Sequence, residues 1–189
     1  MVATRIRIVG TSGSGKSVLA DRVSARTGVP RLELDAVFWD ADWRMRDLDE
    51  ARARVREFVR QHPEGWVADG NWTSRLGDML DPGSPDGADT VVWLDLPRRR
   101  VMRQVIGRTL RRVVRREELW HGNRERARNL FRWHPERNII RFAWTNHPVT
   151  RERMLGRIAA GERIVRLRDR SEIEAWLASL PPAGRSVGP

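Results

Sequence analysis

A chain of 189 residues with 36 Lys and Arg against 25 Asp and Glu, for a formal net charge of +11, suits one domain with a sizeable core and an anionic partner. It has no cysteine, which excludes a disulfide framework and thiolate metal sites and accords with a reducing cytoplasm. No apolar run reaches the length of a membrane span, and the first strand begins too early to leave room for a signal peptide, so a cytoplasmic protein without a membrane partner is expected.

The elements follow in order. Arg5-Ile6-Arg7-Ile8-Val9 alternates β-branched residues as a strand does. Gly10-Thr11-Ser12-Gly13-Ser14-Gly15-Lys16-Ser17 then fits G-x-x-x-x-G-K-[ST] at every fixed position. Leu19 and Val23 fall at helical spacing after it, so this phosphate-binding loop stands between a strand and a helix, the setting the motif needs. Its glycines let backbone N–H groups turn around phosphate oxygens at the positive end of a helix dipole. Lys16 reaches the β- and γ-phosphates and the Ser17 hydroxyl binds Mg²⁺. Lys16 is also the chain's one lysine, the other 35 basic residues being arginines. A compact ammonium fits inside the ring of amides where a planar guanidinium does not.

Thr27-Gly28-Val29-Pro30 stops the helix, and Arg31–Asp35 reads as a second strand. An aromatic and acidic loop, Ala36–Trp43, precedes a helix from Asp47 as N-cap to Gln61, with Leu48, Ala51, Val55, Phe58 and Val59 on its apolar side. Trp66–Asp69 is a third strand. A short helical stretch over Thr73–Leu80 and a loop at Asp81–Gly87 lead to Thr90–Asp95, a strand apolar enough to be buried on both faces. Arg98 to Arg116, with nine arginines in nineteen positions and no acid, reads as a helix, and Glu117 to Trp133 as another after a break near Trp120-His121-Gly122-Asn123. Asn138–Trp144 and Thr150–Ala160 read as two helices separated by Asn146-His147-Pro148. Arg163–Leu167 is a fifth strand, and Ser171–Leu180 a closing helix with Ser171 as N-cap and Glu174 completing a capping box. The alternation implies α/β architecture: a five-stranded parallel sheet flanked by helices, with an arginine-rich helical lid. Residues 1–180 form one domain and 181–189 a frayed tail.

In such a sheet, ligands bind beyond the carboxyl ends of the strands. Asp35, Asp69 and Asp95 each close a predicted strand. Phosphoryl transfer uses one carboxylate to hold Mg²⁺, directly or through water, and another to orient or deprotonate the attacking hydroxyl. Asp69 takes the first role and Asp35 the second, while Asp95 is assigned a structural ion pair with the arginine helix. Arg108, Arg111, Arg112 and Arg115 share one helix face, and two or three of the nine arginines are expected on phosphate. Trp39, Trp43, Trp72 and Trp120 lie in loops beside the acidic ends, where their rings either stack on substrate or pack in the core; Trp66, Trp93 and Trp176 are assigned to the core. The four histidines show no ligand spacing.

Leu34-Asp35-Ala36-Val37-Phe38-Trp39, Asp69-Gly70-Asn71-Trp72 and Trp93-Leu94-Asp95-Leu96-Pro97-Arg98, with the phosphate loop, resemble the adenylate-kinase-related P-loop proteins labelled topology-modulation proteins, over nearly the whole chain. The wider similarity is to nucleoside and nucleotide monophosphate kinases, whose Asp-Gly segment matches Asp69-Gly70 and whose Gly-Arg pair at the lid matches Gly107-Arg108. The resemblance implies a small kinase fold with an arginine lid over about residues 111–128. Adenylate kinases follow Asp-Gly with an aromatic, Pro and Arg; here stand Asn71, Trp72 and Thr73, with Arg75 the nearest arginine.

The expected activity is therefore transfer of the ATP γ-phosphate to a small hydroxyl- or phosphate-bearing acceptor, with ATP and Mg²⁺ on Gly10, Gly13, Ser14, Gly15, Lys16, Ser17 and Val18 and with Arg108 closing over the triphosphate. Lys16, Asp35, Asp69, Arg108 and Arg112 carry catalysis, Ser17 and Asp69 the metal, and Asp35, Trp39, Asn71, Trp72 and Arg75 the acceptor. The alternative is a nucleotide-switched nucleic-acid-binding ATPase whose basic helix tracks phosphates, and a third reading, polynucleotide end kinase activity, combines both.

Overall fold

The computed structural model describes residues 5–125 and 138–183. Five parallel strands, β1 (Arg5–Gly10), β2 (Arg31–Glu33), β3 (Trp66–Asp69), β4 (Thr90–Leu94) and β5 (Ile164–Leu167), form one sheet in the order β2-β3-β1-β4-β5. β1 is central, with Ile8 opposite Asp69 of β3 on one side and Val92 of β4 on the other. The loop after β1 thus emerges between the ends of two neighbours, the position where open α/β sheets bind ligands.

Alternation along the strands explains the layers. Ile6, Ile8, Val67, Val92 and Leu94 face α1 (Lys16–Thr27) and α7 (Arg170–Ser179), burying Leu19, Val23 and Leu177. On the other face, Leu32, Trp66 and Ala68 pack on α3 (Leu48–Gln61) through Ala51, Val55 and Val59, spaced four apart. Val9, Val91 and Trp93 on that face meet Met154 of α6 (Ile139–Ala159). Each fully buried side chain of this size contributes about 1.5–3 kcal/mol. No helix among the described residues is long and apolar enough to cross a membrane.

Several boundaries differ from the sequence expectation. β2 stops at Glu33, and Asp35 lies in the first turn of α2 (Leu34–Phe38) rather than at a strand end. Leu34, Val37 and Phe38 are all buried, and their i, i+3, i+4 spacing selects the helical turn. The segment after β3 is helical only over α4 (Thr73–Leu76), where Gly77 at φ 63 ends it.

The arginine helix, α5, runs Arg98–Arg115, and Arg116 caps it in the left-handed region at φ 50. Residues 117–125 are not a helix. They form a tight reversal with a 3₁₀ turn at Trp120–Gly122, closed by an antiparallel bridge between Glu118 and Arg124. His121 and Gly122, at φ 57 and 78, set the reversal. The rest of the expected helix, and the last part of the expected lid, lie outside the described residues.

The two helices expected on either side of Pro148 are one, α6. A proline inside a helix costs about 3 kcal/mol. It is offset here by a continuous buried face of Ala143, His147, Thr150 and Met154, with His147 Nε2 3.0 Å from the Leu96 carbonyl. In α7 the N-cap is Asp169, not Ser171: its carboxylate accepts from the Glu172 N–H at 2.9 Å, and Glu172 accepts in return from the Arg168 N–H at 2.7 Å. Glu174 instead pairs with Arg22 of α1. Beyond α7, Ala183 N–H donates to the Arg26 carbonyl at 2.6 Å, and residues 184–189 lie outside the described residues.

Candidate active site

The loop between β1 and α1 is shaped by its glycines. Gly15, the N-cap of α1, is left-handed at φ 94. At Gly13, φ 86, a Cβ would stand 2.9 Å from Val105 Cβ and 3.2 Å from the Val101 carbonyl, so only glycine lets α5 lie against the loop. That packing carries Arg108, one turn beyond Val105, to the loop, where Nη2 donates to Ser12 Oγ at 3.3 Å. The Arg108 Nε is buried without a hydrogen-bond partner among the described residues, as is the Ser14 hydroxyl.

Lys16 is partly buried, its Nζ donating to the carbonyls of Gly10 at 2.8 Å and Thr11 at 3.2 Å. Desolvation lowers its pKa below the ordinary lysine value; Asp35 and Asp69 oppose that shift, and Arg108 adds to it. Burial likewise lowers the Arg108 guanidinium, helped by Arg112 and opposed by Glu125 and Asp35. These mutual influences place Lys16, Arg108, Asp35 and Asp69 in one electrostatic neighbourhood.

Ser17 Oγ donates to Asp69 Oδ2 at 2.8 Å, bringing together a hydroxyl and a carboxylate, the hard oxygen donors that Mg²⁺ takes. The other oxygen of this buried carboxylate accepts from Arg31 Nε at 2.9 Å, and Arg31 also pairs with Asp21 and Glu33. Glu33 is raised above its ordinary value, first by desolvation and further by Asp69 and Asp35, against hydrogen bonding from Trp120 and the charge of Arg31.

Asp35 Oδ1 accepts from the Trp72 indole N–H at 2.7 Å. Trp72 stacks on Phe38 with centroids 4.4 Å apart and meets Trp39 edge-on at 5.8 Å. Trp39 meets Trp43 at 5.8 Å, and Trp43 meets Trp120 at 6.4 Å, so the four loop tryptophans form one connected wall. Asn71 uses its whole amide on the loop: Oδ1 accepts from Gly10 N–H at 3.1 Å and Nδ2 donates to the Gly10 carbonyl at 2.7 Å.

Other expected residues are not drawn in. Asp95 does make a structural ion pair, but with Arg166 of β5 and Arg151 of α6 instead of the arginine helix. Arg112 pairs with Glu125 at 3.0 Å, Arg111 with Glu117 at 3.2 Å, and Arg115 is exposed. Val18 is exposed at the start of α1, and the Arg75 side chain makes no hydrogen bond or ion pair among the described residues. Arg31, Glu33 and Asn123 join the site although no sequence motif marks them. The one signal for the first two is their placement on either side of Leu32 in β2, both ending up among the site's carboxylates.

The sheet order and the loop define a P-loop α/β fold, a five-stranded parallel sheet flanked by helices. No protein-family model matches the sequence, and no curated protein matches it. The structure is similar to that of a gluconokinase from Sinorhizobium meliloti 1021, with 17% identity, a TM-score of 0.52 and coverage of 92% of this chain and 91% of that one. A shikimate kinase from Bacteroides thetaiotaomicron matches at 14% identity and TM-score 0.49, covering 93% and 95% of the two chains. A sugar kinase from Janibacter sp. HTCC2649 matches at 16% identity and TM-score 0.48, covering 93% of each chain.

Proposed function

We propose that the chain is an ATP-dependent phosphotransferase acting on a small acceptor. The carrying observation is the Ser17–Asp69 pair at 2.8 Å beside Lys16, with Arg108 leaning on the same loop. The loop amides and Lys16 hold the triphosphate, and Arg108 directs a guanidinium with an unused N–H toward the charge that develops on transfer. Ser17 would ligate Mg²⁺ and Asp69 would hold a water on it; the metal neutralises charge on the phosphate oxygens.

Asp35, fixed by Trp72, faces the acceptor. The acceptor oxygen attacks the γ-phosphorus as the bond to the β,γ-bridging oxygen breaks. The acceptor's proton passes to the Asp35 carboxylate, and ADP leaves with the bond electrons. The tryptophan wall supplies flat apolar surface beside that carboxylate. Residues 1–180 act as one domain in this reading. The finer kinship with the topology-modulation group rests on the Leu34-Asp35, Asp69-Gly70-Asn71 and Leu94–Arg98 segments.

The test is incubation with γ-labelled ATP and a panel of gluconate and other polyols, nucleosides, nucleotides and oligonucleotide ends. Gluconate leads because the structural neighbour above is a gluconokinase. A labelled product that Lys16→Ala fails to form supports the reading; no labelled product from any acceptor defeats it.

One observation favours a second reading. Arg99 and Arg103 near the start of α5, and Arg115 and Arg116 at its end, are exposed and make no ion pair among the described residues, leaving unpaired positive charge that suits polyphosphate backbones. DNA or RNA affinity that falls steeply with salt and responds to ATP supports nucleic-acid binding, whereas ATP-indifferent binding is generic charge attraction.

A further inference from the structure

The reversal that follows α5 does not stand free. Asn123, 3% exposed, inserts its side chain between that reversal and the loop after α2. Its Oδ1 accepts from the Trp43 N–H at 2.8 Å, and its Nδ2 donates to the Asp40 carbonyl at 2.8 Å and the Trp120 carbonyl at 2.9 Å. Both amide protons and one carbonyl lone pair are used, so the side chain bridges the two loops with little capacity left. Around it, His121 Nε2 lies 2.9 Å from the Ala36 carbonyl, Trp43 Nε1 donates to the Arg124 carbonyl at 3.3 Å, and Trp43 meets Trp120 edge-on.

The two loops mirror one another. Each is a tight reversal closed by an antiparallel bridge, Trp39 to Met45 in one and Glu118 to Arg124 in the other, and each turns through a left-handed residue, Asp42 or His121 at φ 57. One continues directly from α2, which carries Asp35. The other continues from α5, which carries Arg108 on the phosphate loop. α5 thus has Arg108 partway along it, and the reversal that holds Asn123 is tied back to the helix by the Arg112–Glu125 pair at 3.0 Å.

We propose that Asn123 is a positioning residue that latches the acceptor-side loop to α5, so that closure over the donor and closure over the acceptor occur as one movement. This rests on the phosphotransferase reading for its functional consequence, but the latch itself is a physical contact measurable without turnover. Removing the side chain at the β-carbon leaves the Trp43 N–H and the Asp40 carbonyl without their partner, while the Trp120 carbonyl keeps the Asn123 backbone N–H at 3.2 Å. Asn123→Asp, nearly isosteric, sets a carboxylate against the Asp40 and Trp120 carbonyls and cannot donate to either.

The experiment is amide hydrogen exchange at Trp43, read with and without a non-hydrolysable ATP analogue, on wild type, Asn123→Ala and Asn123→Asp. Wild type is expected to gain protection at Trp43 when the analogue binds. Both variants should exchange about tenfold faster there, gain no protection from the analogue, and keep analogue affinity within about threefold. Protection at Trp43 that stays at the wild-type level in both variants overturns the latch. So does analogue-induced protection that survives both substitutions, which would mean that the two loops close independently. If Asn123→Ala fails to fold, Asn123→Leu, which neither donates nor accepts, decides by the same readout. With an acceptor from the panel, the variants should show a raised acceptor KM and lowered kcat at unchanged ATP KM. Absence of any transfer by wild type defeats the phosphotransferase reading and leaves the exchange result to stand or fall alone.

Discussion

The proposed site has two halves, one for the phosphate donor and one for the acceptor, and they are built from different materials. The donor half is backbone: a glycine loop closing a central strand, held by α5 at Gly13 and by the Asn71 amide at Gly10. The acceptor half is side chain: a carboxylate on a one-turn helix, steered by an indole, within a wall of four tryptophans and latched by an asparagine from a distant segment. Backbone cradles recognise what all nucleoside triphosphates share, whereas side-chain walls carry the selectivity for one acceptor. Damage to the donor half should therefore be general, and damage to the acceptor half selective.

The sharpest break is Lys16→Ala. It should lower phosphoryl transfer by about 10³-fold, weaken ATP binding and leave the circular dichroism spectrum unchanged. Asp35→Asn comes next: turnover should fall by about 10²-fold while ATP affinity, read by calorimetry, stays near wild type. Loss of ATP binding in that variant would move Asp35 to the donor half. Trp72→Phe keeps a ring for Phe38 to stack on but deletes the N–H to Asp35, so kcat should drop about tenfold at constant ATP KM.

The smallest effect concerns Glu33. Its folded pKa is raised above the ordinary 4.5, so the native state holds its proton more tightly than the unfolded chain does. Below the unfolded value both states are protonated and the carboxyl costs nothing. As pH rises through the folded value, the unfolded state gains the advantage of ionising in water. Glu33→Gln should accordingly raise Tm at neutral pH, with the gain shrinking toward zero as pH falls below about 4.5. A gain independent of pH would show that packing, not charge, sets the effect.

This division also explains what could be read from the chain. The phosphate loop, the parallel order implied by alternating elements and Asp69 at the end of β3 depend on local chemistry: glycines, spacing and an apolar strand. The alternation of Arg31–Asp35 places Asp35 at a strand end, yet Leu34, Val37 and Phe38 all reach the core, and tertiary burial turns the segment into a helix. The continuity of the helix through Pro148 is hidden for the same reason, its buried face outweighing a local breaker. Arg31 looked like an ordinary strand arginine, since nothing nearby in sequence reveals that Asp69, 38 positions on, will lie 2.9 Å away. Asn123 bonds to Trp43 across 80 positions, and such long-range pairing leaves no periodic trace.

The solitary lysine has a practical side. Apart from the terminal amine, Lys16 carries the only aliphatic amine of a chain otherwise supplied with 35 guanidiniums. An amine-selective acylating reagent followed by mass spectrometry thus becomes a single-residue footprint of the phosphate loop. Protection of that one peptide by added nucleotides would rank donors directly, with no acceptor in hand.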